Sequence, residues 1–394
     1  MRSASILAAS ISLVAIAQCL NVLITNDDGF GTANIRELYK QMTAHGHDCY
    51  IVASATNQAG VGPRLEFTDI PKLTADAEWA IVKAGAPSLG TDPIDNHIFY
   101  YNGTPAAQVI VALDYILPKF ATFTTPDLVL SGPNAGWNLD QFPYTIAGAI
   151  GASYVAIERD IPAIAFFSGN NVPMPYFWVN ATTRAGLQDP ATITARLATS
   201  LVQSVIDKSA GSRVLPKGYG MSVNLPFITS YTSEQCTNPP FVLTRGSENV
   251  TSNKLRYNTK IGIFDRSQST AAADDQCSSG ICNLPGEKDV VTTGCMSAVT
   301  VFAVDYNAAY TRECFNVSDV TAIVPIIVQL NGTKPLVGGL GPNASVIGNV
   351  TVSPPLATPL GPLPPMPTVA SMGVNTQWPL SIFVIGLGVV VFFL

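Results

Sequence analysis

The sequence predicts an α/β fold in which a mainly parallel β-sheet is flanked by helices. Short apolar runs rich in β-branched residues alternate along the chain with segments of helical periodicity. Near the start of the chain a strand, a helix and a second strand follow each other within about 35 residues, which is typical of a parallel βαβ unit. The chain has 394 residues, of which 47% are hydrophobic, so it can bury a sizeable core.

The first βαβ unit is predicted between residues 22 and 53. An apolar run at 22–24 and a second run at 49–53 are expected to be neighbouring parallel strands. One helical stripe lies between them, formed by Ile35, Leu38, Tyr39 and Met42. Thr32 is placed to act as the N-cap of this helix, and Gly46 follows its predicted end.

The rest of the chain continues this alternation. Further strands are predicted at 127–131, 161–167, 220–225 and 300–304. Further helices are predicted at 105–117, 146–158 and 191–209. Strands that alternate with helices in this way indicate a mainly parallel sheet covered by helices.

The first predicted strand ends in the sequence NDDG, where Asp27 and Asp28 stand side by side. In an open α/β sheet, the carboxyl ends of the strands form the edge that binds ligands. Two carboxylates about 4 Å apart repel by roughly 4 kcal/mol at an effective dielectric of about 20. A divalent cation or the protonation of one acid removes this cost. The alternative is a solvated Asp-Asp-Gly turn with no ligand.

A second motif, SGPNAG at 131–136, follows the strand predicted at 127–131. It surrounds the amide of Asn134 with small residues, and its glycines allow close approach of a backbone. A neutral amide oxygen is a suitable hard-metal ligand beside two carboxylates. By itself Asn134 would be read as a turn residue, but together with NDDG it predicts a metal site.

An ordered set of motifs resembles the SurE family of phosphatases and 5′-nucleotidases. The resemblance covers about residues 20–305 and rests on five segments, at 21–60, 102–113, 126–139, 148–169 and 222–226. It implies a Rossmann-like α/β fold, a divalent cation (Mg, Mn or Ca), and hydrolysis of small phosphomonoesters such as nucleoside monophosphates. It also implies that Asp27 and Asp28 are catalytic metal ligands and that Asn134 is the amide ligand. The residues that it assigns to substrate binding are Asn57, Gly60 and Gly148.

Three alanines depart from the family pattern. Ala59 stands where the family usually has a serine that binds the metal, and Ala147 and Ala149 align with residues whose hydroxyl groups face the anion. Loss of one well-placed donor can cost roughly 3 kcal/mol of transition-state stabilisation. The sequence therefore leaves two alternatives to an active phosphatase. One is a non-catalytic pseudoenzyme that binds phosphate or a nucleotide, and the other is a structural surface glycoprotein.

The two ends of the chain predict secretion and a lipid anchor. Residues 1–17 have the features of a secretory signal peptide, with an apolar stretch after Arg2 and a small-x-small cleavage pattern. Residues 18–320 are predicted to be the SurE-like phosphatase domain, 321–370 a proline-rich glycosylated stalk, and 371–394 a GPI-type hydrophobic signal. A hydrophobic tail that spans the membrane, or is simply removed, is the alternative at the C-terminus.

Seven cysteines and seven glycosylation sequons fit a secreted chain. The sequons are at Asn102, Asn180, Asn249, Asn316, Asn331, Asn343 and Asn349. Five cysteines lie in a predicted cysteine-rich part at 236–314, where they are expected to form disulfides in a loop or hairpin insertion. A zinc cluster is the alternative there, although Cys-x4-Cys without a nearby His is a weak metal signal. Spacing alone does not define the disulfide pairing.

Charge and motif content narrow the remaining function classes. The formal net charge is −6, so nothing indicates a nucleic-acid partner or an anionic membrane surface, and membrane contact is expected only through the lipid anchor. The chain has only three histidines, which argues against catalysis by histidine or by zinc. It contains neither a Gly-x-Ser-x-Gly nucleophile elbow nor a Gly-Lys-Ser/Thr phosphate loop.

Overall fold

The structure is a computed structural model that describes residues 19–139, 141–246, 253–268 and 284–304. The predicted signal peptide, stalk and C-terminal hydrophobic segment lie outside the described residues, as does part of the cysteine-rich part. Within the described residues, no helix is both long enough and apolar enough to span a membrane.

A nine-stranded sheet forms the centre of the described residues. Its strands are β1 (Asn21–Thr25), β2 (Asp48–Ser54), β3 (Leu89–Thr91), β4 (Ile98–Tyr101), β5 (Leu128–Ala135), β6 (Ala163–Ser168), β7 (Tyr219–Leu225), β8 (Phe241–Thr244) and β11 (Ser297–Ala303). A separate antiparallel hairpin is formed by β9 (Asn253–Asn258) and β10 (Ile263–Gln268).

The strand order in the sheet is β3-β4-β2-β1-β5-β6-β7-β11-β8. The six strands from β4 to β7 in this order are parallel to each other, whereas β3 and β11 run antiparallel to their neighbours β4 and β7. From β1 the chain first goes to β2 on one side and later to β5 on the other. The crevice between β1 and β5 is therefore the topological switch point, where open α/β sheets bind their ligands.

Helices cover both faces of the sheet. They are α1 (Ala33–Ala44), α2 (Pro105–Val111), α3 (Leu117–Phe120), α4 (Gln141–Ile146), α5 (Gly148–Glu158), α6 (Pro190–Ser209) and α7 (Glu287–Thr293). A π-helical turn, Ala112–Ile116, joins α2 to α3, and short 3₁₀ turns occur at Glu78–Ala80 and Tyr176–Trp178.

The side chains of strand β1 pack against helices on both faces of the sheet. Val22 and Ile24 point to the face covered by α1 and α6, whereas Leu23 points to the face covered by α2 and α5. All three side chains are fully buried. A strand that is buried on both faces needs an apolar residue at every position, which explains its unbroken apolar run.

The predicted fold class is confirmed, and each strand and helix predicted above is present. Strand β5 continues to Ala135, so the motif predicted to follow this strand is part of it. The structure also contains strands without a clear alternating pattern in the sequence, namely β3, β4 and β8. These strands lie at the two ends of the sheet, where packing against the neighbouring strand rather than local sequence decides the conformation.

The cysteine-rich part contains one disulfide in the described residues, between Cys236 and Cys295. It connects the loop after β7 to the segment between α7 and β11. Cys277, Cys282 and Cys314 lie outside the described residues, so the prediction of further disulfides stays untested. Cys19 and Cys49 are free thiols, the first exposed and the second buried.

Candidate active site

The turn after β1 is held by Asn26. Its amide donates to the Gly29 carbonyl at 3.2 Å and to the Thr32 hydroxyl at 3.1 Å, and its oxygen accepts from the Gly29 N–H. Gly29 has φ +113°, a conformation that favours glycine. Thr32 occupies the N-cap position of α1 as predicted, but its hydroxyl bonds to Gly29 and not to the helix. These bonds fix the turn that presents the paired acids.

Asn134 reaches the same crevice from β5. The pairing of β5 with β6 shifts register between Ser131 and Asn134, so the strand bulges at the SGPNAG motif. Asn134 is buried, and its side-chain amide donates to Asp27 Oδ1. The structure thus brings together the two motifs that the sequence predicted as one site.

Asp27 is fixed by the start of α5. The backbone N–H groups of Gly148 and Ala149 donate to its carboxylate, in addition to the Asn134 amide. A Cβ at position 148 would lie 2.7 Å from Asp27 Oδ2 and 2.9 Å from Pro105 Cγ, so only glycine allows this close approach. The helix N-terminus, which carries partial positive charge, therefore faces a carboxylate of the chain itself. A substrate-binding role for Gly148 stays a prediction.

Asp28 is held from the opposite side. Its Oδ2 accepts from the Ala135 N–H at 2.6 Å, and its Oδ1 accepts from the Asn57 amide at 3.4 Å. The Asn57 N–H donates to Glu78 Oε1 at 2.8 Å, which brings a third acid close to the pair. Asn57 therefore links Asp28 to Glu78 and limits how far either acid can move.

Burial makes the ionised forms of both aspartates unfavourable. They are 2% and 5% exposed, and no Lys, Arg or His of the described residues forms an ion pair with either. Burial raises the pKa of Asp27 to about 6, against the opposing effect of its hydrogen bonds. Burial, followed by the charges of Asp27 and Glu78, raises the pKa of Asp28 to about 7. At neutral pH a cation would therefore stabilise this pair strongly.

The donor set of the crevice fits a hard divalent cation. Asn134 Oδ1 is buried and has no hydrogen-bond partner in the described part of the chain, so one neutral oxygen stands unused beside two carboxylates. Mg²⁺, Mn²⁺ and Ca²⁺ prefer such oxygen ligands and commonly retain water. The described residues contain no group of three His, Cys, Asp or Glu side chains arranged to hold a metal ion. A cation here would rest on the two acids, the amide and water.

The remaining predicted residues line the open side of the crevice. Asn57, Ala59 and Gly60 are exposed, and Gly60 has φ +86° with no atom within 4 Å of a Cβ built there. The Ala59 N–H donates to Asn57 Oδ1 at 2.8 Å, which closes a tight turn.

The other two alanines that depart from the family pattern differ from Ala59, because Ala149 is fully buried in an apolar cluster against which Ala147 packs. Of the three alanines, only Ala59 is exposed.

Glu78 is a site residue that was not predicted from the sequence. It lies in a 3₁₀ turn between β2 and β3, about fifty residues after the acidic pair, and no local pattern marks that segment as part of a site. Its N–H donates to the Ala55 carbonyl just beyond β2, which places the side chain near Asn57. An isolated glutamate in a loop gives no signal by itself, and only the tertiary structure identifies it.

A known protein family matches more than half of the chain. Residues 22–252 match the family described as Survival protein SurE. The chain is 38% identical over 291 residues to an acid phosphatase of Yarrowia lipolytica, and this match covers 73% of the chain and 80% of that protein. The chain belongs to the SurE family.

Bacterial relatives of this SurE chain share a shorter region. A protein of Desulfovibrio desulfuricans named 5′-nucleotidase SurE is 33% identical over 158 residues, which are 39% of this chain and 53% of that protein. The match therefore spans about half the length of the bacterial relative. The crystal structure of the SurE protein from Aquifex aeolicus has a TM-score of 0.52 and 21% identity, and the match covers 77% of this chain and 99% of that one. At this identity the likeness shows the fold alone.

Proposed function

We propose that this SurE-family protein is a metal-dependent phosphomonoesterase that acts at the cell surface. The observation that carries the proposal is the buried pair Asp27 and Asp28, with no counter-charge from the described chain and with the unused Asn134 Oδ1 beside it. Relatives named acid phosphatase and 5′-nucleotidase SurE support the reaction class. Small phosphomonoesters, including nucleoside monophosphates, are the expected substrates.

Each site residue has a distinct positioning task in this proposal. Asp27, Asp28 and Asn134 would hold the cation, which when bound supplies positive charge against the phosphoryl oxygens. The N–H groups at the start of α5 and that of Ala135 keep the two carboxylates in place. Prior orientation matters because groups that are already in place need no reorganisation during reaction.

The turn at 57–60 would receive the phosphate. It forms the open side of the crevice, and the Gly60 backbone leaves space for an anion to approach. The Asn57 amide, 3.4 Å from Asp28 Oδ1, can turn toward a phosphoryl oxygen. Burial of the carboxylates on the other sides restricts the approach of substrate to this direction.

The test is hydrolysis of p-nitrophenyl phosphate and 5′-AMP by the secreted protein with added Mg²⁺ or Mn²⁺. We expect turnover that EDTA abolishes, that re-added metal restores, and that Asp27→Asn removes in a folded protein. Asp114→Asn is the matched control, because Asp114 is an exposed acid paired with Arg159 and should leave turnover unchanged. Turnover that survives both EDTA and Asp27→Asn would exclude the proposed site.

Ala59 supports the pseudoenzyme as a second candidate, since the residue at this exposed position has no side-chain oxygen to offer a cation. That candidate expects saturable binding of phosphate or nucleotide, seen as a thermal shift, without any turnover. The same preparations distinguish the two functions.

The proposed location at the cell surface rests on the N- and C-terminal segments of the sequence. Phosphatidylinositol-specific phospholipase C is expected to release the protein from intact cells, and a chain truncated at Val374 is expected to be secreted. Mass spectrometry of the mature protein checks the same point, because a peptide that contains Val390–Leu394 would contradict cleavage at a GPI signal.

A further inference from the structure

The loop that carries Glu78 lies directly on the turn that carries the paired acids. A Cβ at Gly29, the residue after Asp28, would lie 3.1 Å from Glu78 Cγ. A Cβ at Gly31 would collide with Ile81 Cδ1 of the same loop. Both glycines therefore allow a close approach of the two segments, which pack as one unit.

The loop around Glu78 adopts a strained backbone conformation. Trp79 and Ala80 have φ 53° and 57°, in the left-handed region that residues with a Cβ rarely adopt. Two backbone hydrogen bonds of 2.8 Å hold them there, from the Ala80 N–H to the Ala77 carbonyl and from the Ala77 N–H to the Val82 carbonyl. Such conformations persist only where the surrounding structure imposes them, and they cluster at functional sites. The strain therefore points to a functional reason for the position of the Glu78 side chain.

Glu78 accepts a hydrogen bond from the turn that the proposed function assigns to the phosphate. The distance from the Asn57 backbone nitrogen to Glu78 Oε1 is 2.8 Å. The Asn57 side-chain amide lies 3.4 Å from Asp28 Oδ1, and the N–H of the next residue, Gln58, donates to the Asp27 carbonyl at 2.6 Å. The start of the turn is therefore held by Glu78 and by both aspartates.

Glu78 also adds a third negative charge beside the two buried aspartates. It is half-buried, and no Lys, Arg or His of the described residues forms an ion pair with it. Because no three His, Cys, Asp or Glu side chains in the described part of the chain are arranged around one metal position, Glu78 is not placed as a direct ligand. Its charge would act on a cation through space, and dissolved salt weakens such an interaction.

We propose that Glu78 is a positioning residue of this site with two separable roles. Its acceptor oxygen fixes the phosphate-receiving turn through the Asn57 N–H, and its charge increases the affinity of the crevice for a divalent cation. The inference rests on the proposed function, which places the cation at Asp27 and Asp28 and the phosphate at the turn at 57–60. Glu78 itself touches neither the cation nor the phosphate.

Two substitutions separate these roles. Glu78→Gln keeps an oxygen that accepts from the Asn57 N–H and removes the charge, whereas Glu78→Ala removes both. Asp76→Asn is the matched control, because Asp76 lies in the same loop and is an exposed acid paired with Lys83 at 2.9 Å. The control removes the same charge from the loop and should change none of the measured affinities. Circular dichroism checks that every variant is folded.

Affinity for Mg²⁺, measured by titration calorimetry without substrate, tests the role of the charge. We expect Glu78→Gln and Glu78→Ala to bind Mg²⁺ about fivefold or more weakly than the unmodified protein in about 20 mM salt. The loss for Glu78→Gln should shrink to less than about twofold in about 0.5 M salt, where charges are strongly screened. A merely structural contact would give the same loss at both salt concentrations. Unchanged Mg²⁺ affinity in Glu78→Gln, or a loss that does not depend on salt, would contradict the role of the charge.

Affinity for inorganic phosphate at saturating Mg²⁺ tests the role of the hydrogen bond. We expect Glu78→Ala to bind phosphate about tenfold more weakly than the unmodified protein, because the turn is no longer held in place. Glu78→Gln should bind phosphate at least as tightly as the unmodified protein, since it keeps the acceptor and removes a charge that repels the anion. Equal phosphate affinity in the two variants would overturn the role of the hydrogen bond.

Both affinities are measured without turnover, so they separate this inference from the proposed function. If these changes occur in a protein that hydrolyses no phosphomonoester, the inference stands and only the enzymatic function fails. If EDTA-sensitive turnover is found but both Glu78 variants match the unmodified protein, only the inference fails. An unmodified protein that binds no divalent cation would overturn both.

Discussion

Asp28→Asn is expected to abolish metal-dependent phosphatase activity and, at the same time, to make the metal-free protein more stable at pH 8. Asp28 is buried, and its carboxylate accepts hydrogen bonds from Ala135 and Asn57 but meets no cation among the described residues. The ionised group is therefore held at a cost that only a bound cation offsets. Asparagine keeps the shape of the side chain and removes the charge.

The pH dependence follows from the direction of the pKa shift. The pKa of Asp28 is raised from 3.8 to about 7, mainly by burial, so the folded state binds the proton more tightly than the unfolded state does. The metal-free protein should lose stability as pH rises from about 4 to about 7, and Asp28→Asn should remove much of that loss. Near pH 4 the two proteins should differ little. At pH 8 the variant should gain roughly 2–4 kcal/mol, which corresponds to several degrees in Tm.

The measurement is thermal unfolding at pH 4.5, 6 and 8 with EDTA and with excess Mg²⁺ or Mn²⁺. Metal should raise the Tm of the unmodified protein most at pH 8 and should have little effect on Asp28→Asn. Asp114→Asn serves as the control, because that acid is exposed and paired with Arg159. A metal-free Asp28→Asn protein that is no more stable than the unmodified chain at pH 8 would show that the carboxylate is not under electrostatic strain.

Sequence was sufficient to predict which motifs lie at the ligand-binding edge of the sheet. The βαβ pattern predicted the end of β1, and the strand before SGPNAG predicted that Asn134 reaches the same edge. Parallel strands bring their carboxyl ends together, so strand order and direction alone predict that two distant motifs share one crevice. The structure places Asn134 against Asp27.

The individual hydrogen bonds and packing contacts that surround these motifs were not predictable in this way. The hydrogen bonds from the N–H groups of Gly148 and Ala149 to Asp27 were not predicted from the sequence. Burial of Ala149 also depends on its neighbours Ala165 and Phe167 from β6. Local periodicity defines elements and their ends, whereas the direction of a side chain depends on tertiary packing.

The structure also shows at which of the three alanines, Ala59, Ala147 or Ala149, a hydroxyl group can be added without disturbing the packing. Ala149 is fully buried against Ile150 and Phe167, so a threonine there would add volume to a closed core and would destabilise the helix that holds Asp27. Ala147 packs partly against the same cluster. Ala59 is exposed in the turn that contacts Asp28 through Asn57, so a serine there adds an oxygen without displacing a neighbour.

Ala59→Ser is therefore expected to raise both metal affinity and turnover. The side chain follows Asn57 by two residues, and the Ala59 N–H already donates to Asn57 Oδ1 at 2.8 Å, so the turn needs no rearrangement. One added neutral oxygen ligand in an oriented site should increase affinity for Mg²⁺ or Mn²⁺ by about tenfold, with a similar gain in kcat/KM. Affinity is measured by titration calorimetry, and kcat/KM is measured on p-nitrophenyl phosphate at saturating metal.

Ala84→Ser, at an exposed alanine in a separate loop, is the control and should change neither metal affinity nor kcat/KM. If a folded Ala59→Ser protein gains neither affinity nor turnover, residue 59 does not face the cation, and the ligand set must be sought among Asp27, Asp28, Asn134 and Glu78 alone.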